Sequence, residues 1–197
     1  IAYILFDGVT LLDFFGFYDP IKNIKTLQYL DDLDWDLCAL QKTIKDSFDL
    51  EITVDKVQPD LANYDMIFVP GGYGTRPLQF DEKFVDWVRS AQVVKYKVSV
   101  CTGSLILGAA GFLKNKSATT NFSTYSDLEK YCSNVLESRI VDDNDTITAG
   151  AVTSAIDLGL YVCEKLVGKE KTATIRHKMD YHPGIFKITK IKYPGQL

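Results

Sequence analysis

The stretch Val98–Gly111, "VSVCTGSLILGAAG", decides the fold. An extended run, Val98–Val100, stops at Cys101, and small residues at helical spacing follow at once. A strand that gives way to a helix with almost no loop leaves one residue in the sharp turn between them. Here that residue is a thiol. The outline is that of a nucleophile elbow, in which the turn lifts a side chain off the end of a strand. Gly103 and Ser104 let helix and sheet approach closely, and Gly108, Ala109, Ala110 and Gly111 extend the theme. A helix start also favours thiolate, through its unpaired N–H groups and its macrodipole. Two readings stand for Cys101: a nucleophile, or a buried structural cysteine that ends a strand.

Working outward, apolar runs at Ala2–Phe6, Trp35–Gln41 and Met66–Pro70 read as further strands. They alternate with helical patterns at Leu11–Leu30, interrupted by Gly16 and Pro20, at Asp81–Gln92, and after Cys101. Such alternation predicts βαβ units, an α/β fold and a parallel sheet. Thr43–Val54 reads as a hairpin or an edge extension, and Ser117–Asn121 as a short strand. Ser123–Cys132 reads as a helix. Ser138–Ala151 reads as two short strands around an Asp-Asn-Asp turn. Val152–Val167 and Lys171–Tyr181 complete the helices, and the tail from Pro183 to Leu197 has little pattern. With no internal repeat and no long linker, residues 1–197 are expected to form one domain, 183–197 being its C-terminal tail.

Open parallel sheets bind ligands outside the carboxyl ends of their strands. Three segments converge there: Asp7–Asp13, the "GGYGT" loop, and Cys101–Ser104. Gly71 and Gly72 allow a turn whose N–H groups face a ligand, as in an oxyanion hole, or they form an ordinary Gly-rich turn. The N–H of Thr102 is a second candidate donor. "GGYGTR" lacks both the dinucleotide and the Walker spacing. Asp13, set among Leu11, Leu12, Phe14 and Phe15, is either a first-turn surface acid or a general acid/base raised by its apolar neighbours. The two histidines, His177 and His182, lie near the C-terminus, where position gives a Cys–His pair no support.

Composition removes several classes. The chain has 197 residues, 46% hydrophobic, with net charge −4 and scattered Lys and Arg, so a nucleic-acid footprint is absent. No apolar run approaches the ~20 residues of a membrane span. The opening "IAYILFDG" reads as a strand, not a leader. Cys38, Cys101, Cys132 and Cys163 are widely spaced and form no C-x-x-C, which predicts free thiols, a reducing cytoplasm and no zinc site.

Four segments, "FDGVTLLDFFG", "DMIFVPGGYGT", "VSVCTGSLILGAAGFLKNKSATTNF" and "TAGAVTSAIDLGLYV", resemble in order the motifs of the ThiJ/PfpI superfamily. The resemblance covers roughly Ala2–Leu166 and is greatest to the isonitrile hydratase subgroup. It implies a three-layer, flavodoxin-like α/β sandwich and a homodimer. It also implies functional roles for Asp13, Cys101 and Thr102, with Gly71 and Gly72 as the glycine pair. Thr153 and Asp157 would support the site. Where many relatives carry a histidine after "ATT", this chain has Asn121, followed by Phe122 where Trp is common. That departure removes the usual base of the protease-like and glyoxalase-like branches. Phe17 stands where a proline often follows the first-loop glycine. A related module occurs in AraC-type regulators, but these 197 residues leave no room for a DNA-binding domain.

The expected function is a cysteine-dependent hydratase or amidase acting on a small C–N electrophile such as an isonitrile, with no cofactor. Cys101, Asp13 and Thr102 would be catalytic. Gly71, Gly72, Asn121 and Thr153 would bind or stabilise charge. The alternatives are a redox or ligand sensor built on the same thiol, and a protease/amidase or glyoxalase-like enzyme, which Asn121 at the usual histidine position disfavours.

Overall fold

The apolar runs of the sequence become one sheet, and its strand ends set the site. The computed structural model describes residues 1–182; the expected tail from Pro183 to Leu197 lies outside the described residues. In chain order the elements begin with β1 (Ala2–Ile4), α1 (Leu11–Thr26), β2 (Asp36–Ala39), β3 (Thr43–Lys45), β4 (Glu51–Thr53) and β5 (Lys56–Val57). There follow β6 (Met66–Val69), α2 (Thr75–Leu78), α3 (Glu82–Arg89), β7 (Tyr96–Val100), α4 (Gly103–Ala109) and β8 (Ser117–Ala118). The rest are α5 (Tyr125–Leu128), β9 (Asn134–Val135), β10 (Ile140–Asp143), β11 (Thr146–Ala149), α6 (Ser154–Val167) and α7 (Lys169–Lys178).

Seven strands form the main sheet in the order β10-β11-β7-β6-β1-β2-β5. All neighbours run parallel except β10 and β11, which form an antiparallel hairpin around Asn144 in the left-handed region at φ 63°. The inner strands β1, β6 and β7 are almost wholly buried, as expected of a parallel sheet covered on both faces. Nearly all the buried apolar side chains make one continuous cluster. Tyr3 sits at its centre, edge-on to Phe14, Phe17, Tyr18 and Phe68. The expected α/β fold with a mostly parallel sheet is present.

Several boundaries differ from expectation, each for a physical reason. β7 starts at Tyr96, not Val98, because Lys97 is buried and its charge is met by Asp145 at 2.8 Å and by the Gln92 carbonyl at 2.9 Å. The first helix runs unbroken through Gly16 and Pro20. Both residues are notches. A Cβ on Gly16 would stand 2.8 Å from the Cβ of Ala155, and one on Gly159 would stand 2.8 Å from Pro20. α1 and α6 thus pack at close range. The helix expected over Ser123–Cys132 shrinks to a 3-10 turn at Phe122–Thr124 and the short α5. Thr43–Val54 is a separate two-stranded hairpin, and Ser117–Ala118 pairs with Asn134–Val135, a strand the sequence pattern does not mark.

Candidate active site

The elbow is real in its geometry. Cys101 sits between β7 and α4 at φ 54°, a left-handed conformation uncommon for a side chain-bearing residue. Its N–H points at the carbonyls of Ala149 (3.0 Å) and Gly150 (2.7 Å), so the end of β11 tethers the turn. Its carbonyl accepts from the hydroxyls of Thr120 (2.9 Å) and Ser104 (3.2 Å). Glycine at 103 is obligatory, since a Cβ there would lie 2.1 Å from the Val69 carbonyl oxygen. These contacts fix the thiol, which is 5% exposed.

Asp13 enters from the first turn of α1 and is fully buried. One carboxylate oxygen, Oδ2, accepts from the Gly71 N–H at 2.9 Å, while Oδ1 is buried with no hydrogen-bond partner. The three segments meet at Gly71. A Cβ there would lie 2.7 Å from the Cβ of Cys101, 2.7 Å from the N of Thr102 and 2.8 Å from Oδ2 of Asp13. Burial raises Asp13 to about 6, against the Gly71 N–H and the Cys101 thiol, which favour its ionised form. Burial, then the negative charge of Asp13, pushes the Cys101 thiol up to about 11, against the Asn121 amide and the Thr102 N–H. The expected pull of the helix start towards thiolate is thus opposed by burial and by the Asp13 charge. The two shifts together favour a thiol beside a carboxylate at neutral pH.

The glycine pair also behaves differently from expectation. The Gly72 N–H donates to the Thr102 hydroxyl at 3.0 Å, and that hydroxyl donates back to the Gly72 carbonyl at 3.1 Å. The Thr75 hydroxyl closes this knot, 2.7 Å from the same carbonyl and 2.8 Å from Thr102 Oγ1. The N–H groups of Gly71 and Gly72 are thus engaged by Asp13 and Thr102. What faces the sulfur is the Thr102 N–H and the amide of Asn121, whose Nδ2 donates to Sγ at 3.5 Å. That amide is held one way round, because Oδ1 accepts from the N–H (3.0 Å) and hydroxyl (2.9 Å) of Ser123.

A cavity of about 290 Å³ opens beside the thiol. Cys101, Thr102, Gly72, Asn121 and Ser123 line it, with Tyr73, Arg76 and Phe122 on its exposed side. The structure brings together Asp13, Gly71, Gly72, Cys101, Thr102 and Asn121. It leaves Thr153 outside: that residue is exposed ahead of α6, with its carbonyl accepting from Arg139, and its neighbour Val152 lines the cavity instead. Asp157 is tied to Arg139 and Tyr181. Neither histidine lines the cavity, and His182 lies 3.0 Å from Asp180. Ser123, Tyr73 and Arg76 were missed by sequence reasoning. The Asn-x-Ser spacing of an Asx turn at Asn121–Ser123 is a signal that could have found the first.

A thiol on a strand-to-helix elbow, above the carboxyl edge of a parallel sheet and beside a buried acid, defines a class of α/β proteins. The chain belongs to the DJ-1/PfpI family, whose profile matches residues 1–165. It is 35% identical over 185 residues to isonitrile hydratase of Pseudomonas putida, covering 93% of this chain and 78% of that protein. The crystal structure of a ThiJ/PfpI family protein from Pseudomonas syringae superposes with a TM-score of 0.84 at 27% identity, covering 94% of this chain and 76% of the other. DJ-1beta of Drosophila melanogaster shares the fold, with a TM-score of 0.79 at 22% identity over 92% and 97% of the two chains. No helix among the described residues is long and apolar enough to cross a membrane.

Proposed function

We propose that the protein is a cysteine-dependent hydratase that converts an isonitrile into an N-substituted formamide. The observation that carries this reading is the buried Asp13 carboxyl, one oxygen unpartnered, packed against the elbow thiol with no histidine lining the cavity. The 35% identity to an isonitrile hydratase supports the choice of substrate class.

The chemistry follows from the two protonation states. Asp13 takes the proton of the Cys101 thiol as sulfur bonds to the terminal carbon of the isonitrile, and returns that proton to the same carbon. The product is a thioimidate, Cys–S–CH=N–R. Water then adds across the C=N bond, its oxygen to that carbon and one of its protons to the nitrogen, giving Cys–S–CH(OH)–NH–R. The C–S bond breaks as the hydroxyl proton passes by way of Asp13 to sulfur, and R–NH–CHO leaves. Net, one isonitrile and one water give one formamide. The Asn121 amide and the Thr102 N–H stabilise charge on sulfur as it develops and as it departs. The expected base for a protease-like dyad is replaced by an amide donor at Asn121, which cannot accept the proton.

The test is turnover of a simple alkyl isonitrile, followed by mass spectrometry of the formamide. Wild type is expected to produce it, Cys101→Ala to produce none, and Asp13→Asn to be slowed about 10²-fold or more. Turnover that survives in Cys101→Ala sinks the reading.

A further inference from the structure

The cavity beside Cys101 is lined by one charged side chain at neutral pH, and the charge is positive. Arg76 lines it, whereas Asp13 lies behind Gly71 and is fully buried. Arg89 and Arg139 each hold an aspartate, but Arg76 has no carboxylate within ion-pair distance among the described residues. The guanidinium lies over the Tyr73 ring, 4.8 Å from its centroid. Tyr73 and Phe122, each 73% exposed, line the same cavity and supply apolar surface to a ligand. Guanidinium forks match carboxylates bidentately.

We propose that Arg76 is an anion anchor and that the substrate carries a carboxylate on a short body seated against Tyr73 and Phe122. The carboxylate docks on Arg76, and the electrophilic carbon is then presented to Cys101. This deepens the reading of Cys101 as the nucleophile, but the anchor itself does not depend on isonitrile chemistry.

Two measurements separate the claims. In the first, Cys101 is alkylated with iodoacetate and with iodoacetamide, the site being located by peptide mapping because Cys132 is partly exposed. The iodoacetate-to-iodoacetamide rate ratio is expected to be about tenfold higher in wild type than in Arg76→Gln, with partial recovery in Arg76→Lys and a fall at high salt. A ratio unaffected by Arg76→Gln overturns the anchor. The second measurement does not use the thiol. N-formylglycine, the product of a carboxylated isonitrile, is titrated into Cys101→Ala alongside its neutral amide. The acid is expected to bind about tenfold tighter, and Arg76→Gln in that background to abolish the difference. Equal affinities overturn the anchor. A preference for the acid in a protein that turns over no isonitrile supports the anchor and overturns the hydratase reading.

Discussion

At the scale of the residue, Asp13 and Cys101 constrain each other. The carboxyl loses its proton near pH 6 and the thiol near pH 11, so the competent combination, carboxylate with thiol, spans the range between. For a neutral isonitrile, kcat/KM is expected to rise through about pH 6, stay level, and fall only towards 11. A profile that keeps climbing through pH 8 would mean that free thiolate, not the pair, is the reacting form. The residues of this pair were legible because each interrupts a local pattern: a thiol in a strand-to-helix turn, an acid among apolar neighbours. Asn121 was legible through the resemblance. Arg76 and Ser123 were not, since a charge after a loop and a serine in a polar stretch look like surface. Only the three-dimensional cavity and the Asx turn give them a place.

At the scale of the element, the α1–α6 contact positions Asp13, and it depends on two missing side chains. Gly16→Ala brings a methyl to 2.8 Å from the Cβ of Ala155, so it should destabilise by about 1–3 kcal/mol despite alanine's better helix propensity. Ala155→Gly in the same chain removes the clash. Urea unfolding of both single variants and the double variant should give a favourable coupling of about 1 kcal/mol or more. Strict additivity would show that the helices are free to shift apart. In sequence Gly16 and Pro20 interrupt the helical pattern because helix propensity is a local property, whereas Pro20 is accommodated by Gly159 on another helix. Lys97 hid the start of β7 for a similar reason: the aspartate that compensates its burial lies 48 residues away. The strands themselves were legible because a sheet buried on both faces demands nearly continuous apolar runs.

At the scale of the whole molecule, the fold bears the cost of keeping Asp13 dry. Its folded pKa, about 6, lies above the 3.8 of an exposed aspartate, so the folded chain binds the proton more tightly than the unfolded chain. Asp13's contribution to stability is therefore full below about pH 3.8, declines as pH rises towards 6, and remains a constant penalty beyond. The gap corresponds to about 3 kcal/mol. Stability of Asp13→Asn relative to wild type, measured by chemical denaturation, should climb by that amount across this window and then level off. A difference independent of pH would mean that Asp13 ionises as easily folded as unfolded.

The sheet that gathers these groups also ends in a particular way. One outer strand, β5, is two residues long, and the other, β10, carries Asp142 and Asp143. Short and acidic borders disfavour the addition of a foreign strand, the route by which parallel sheets aggregate. The edges of the sheet that carries the thiol are thus poor templates for β-pairing with a second copy of this chain.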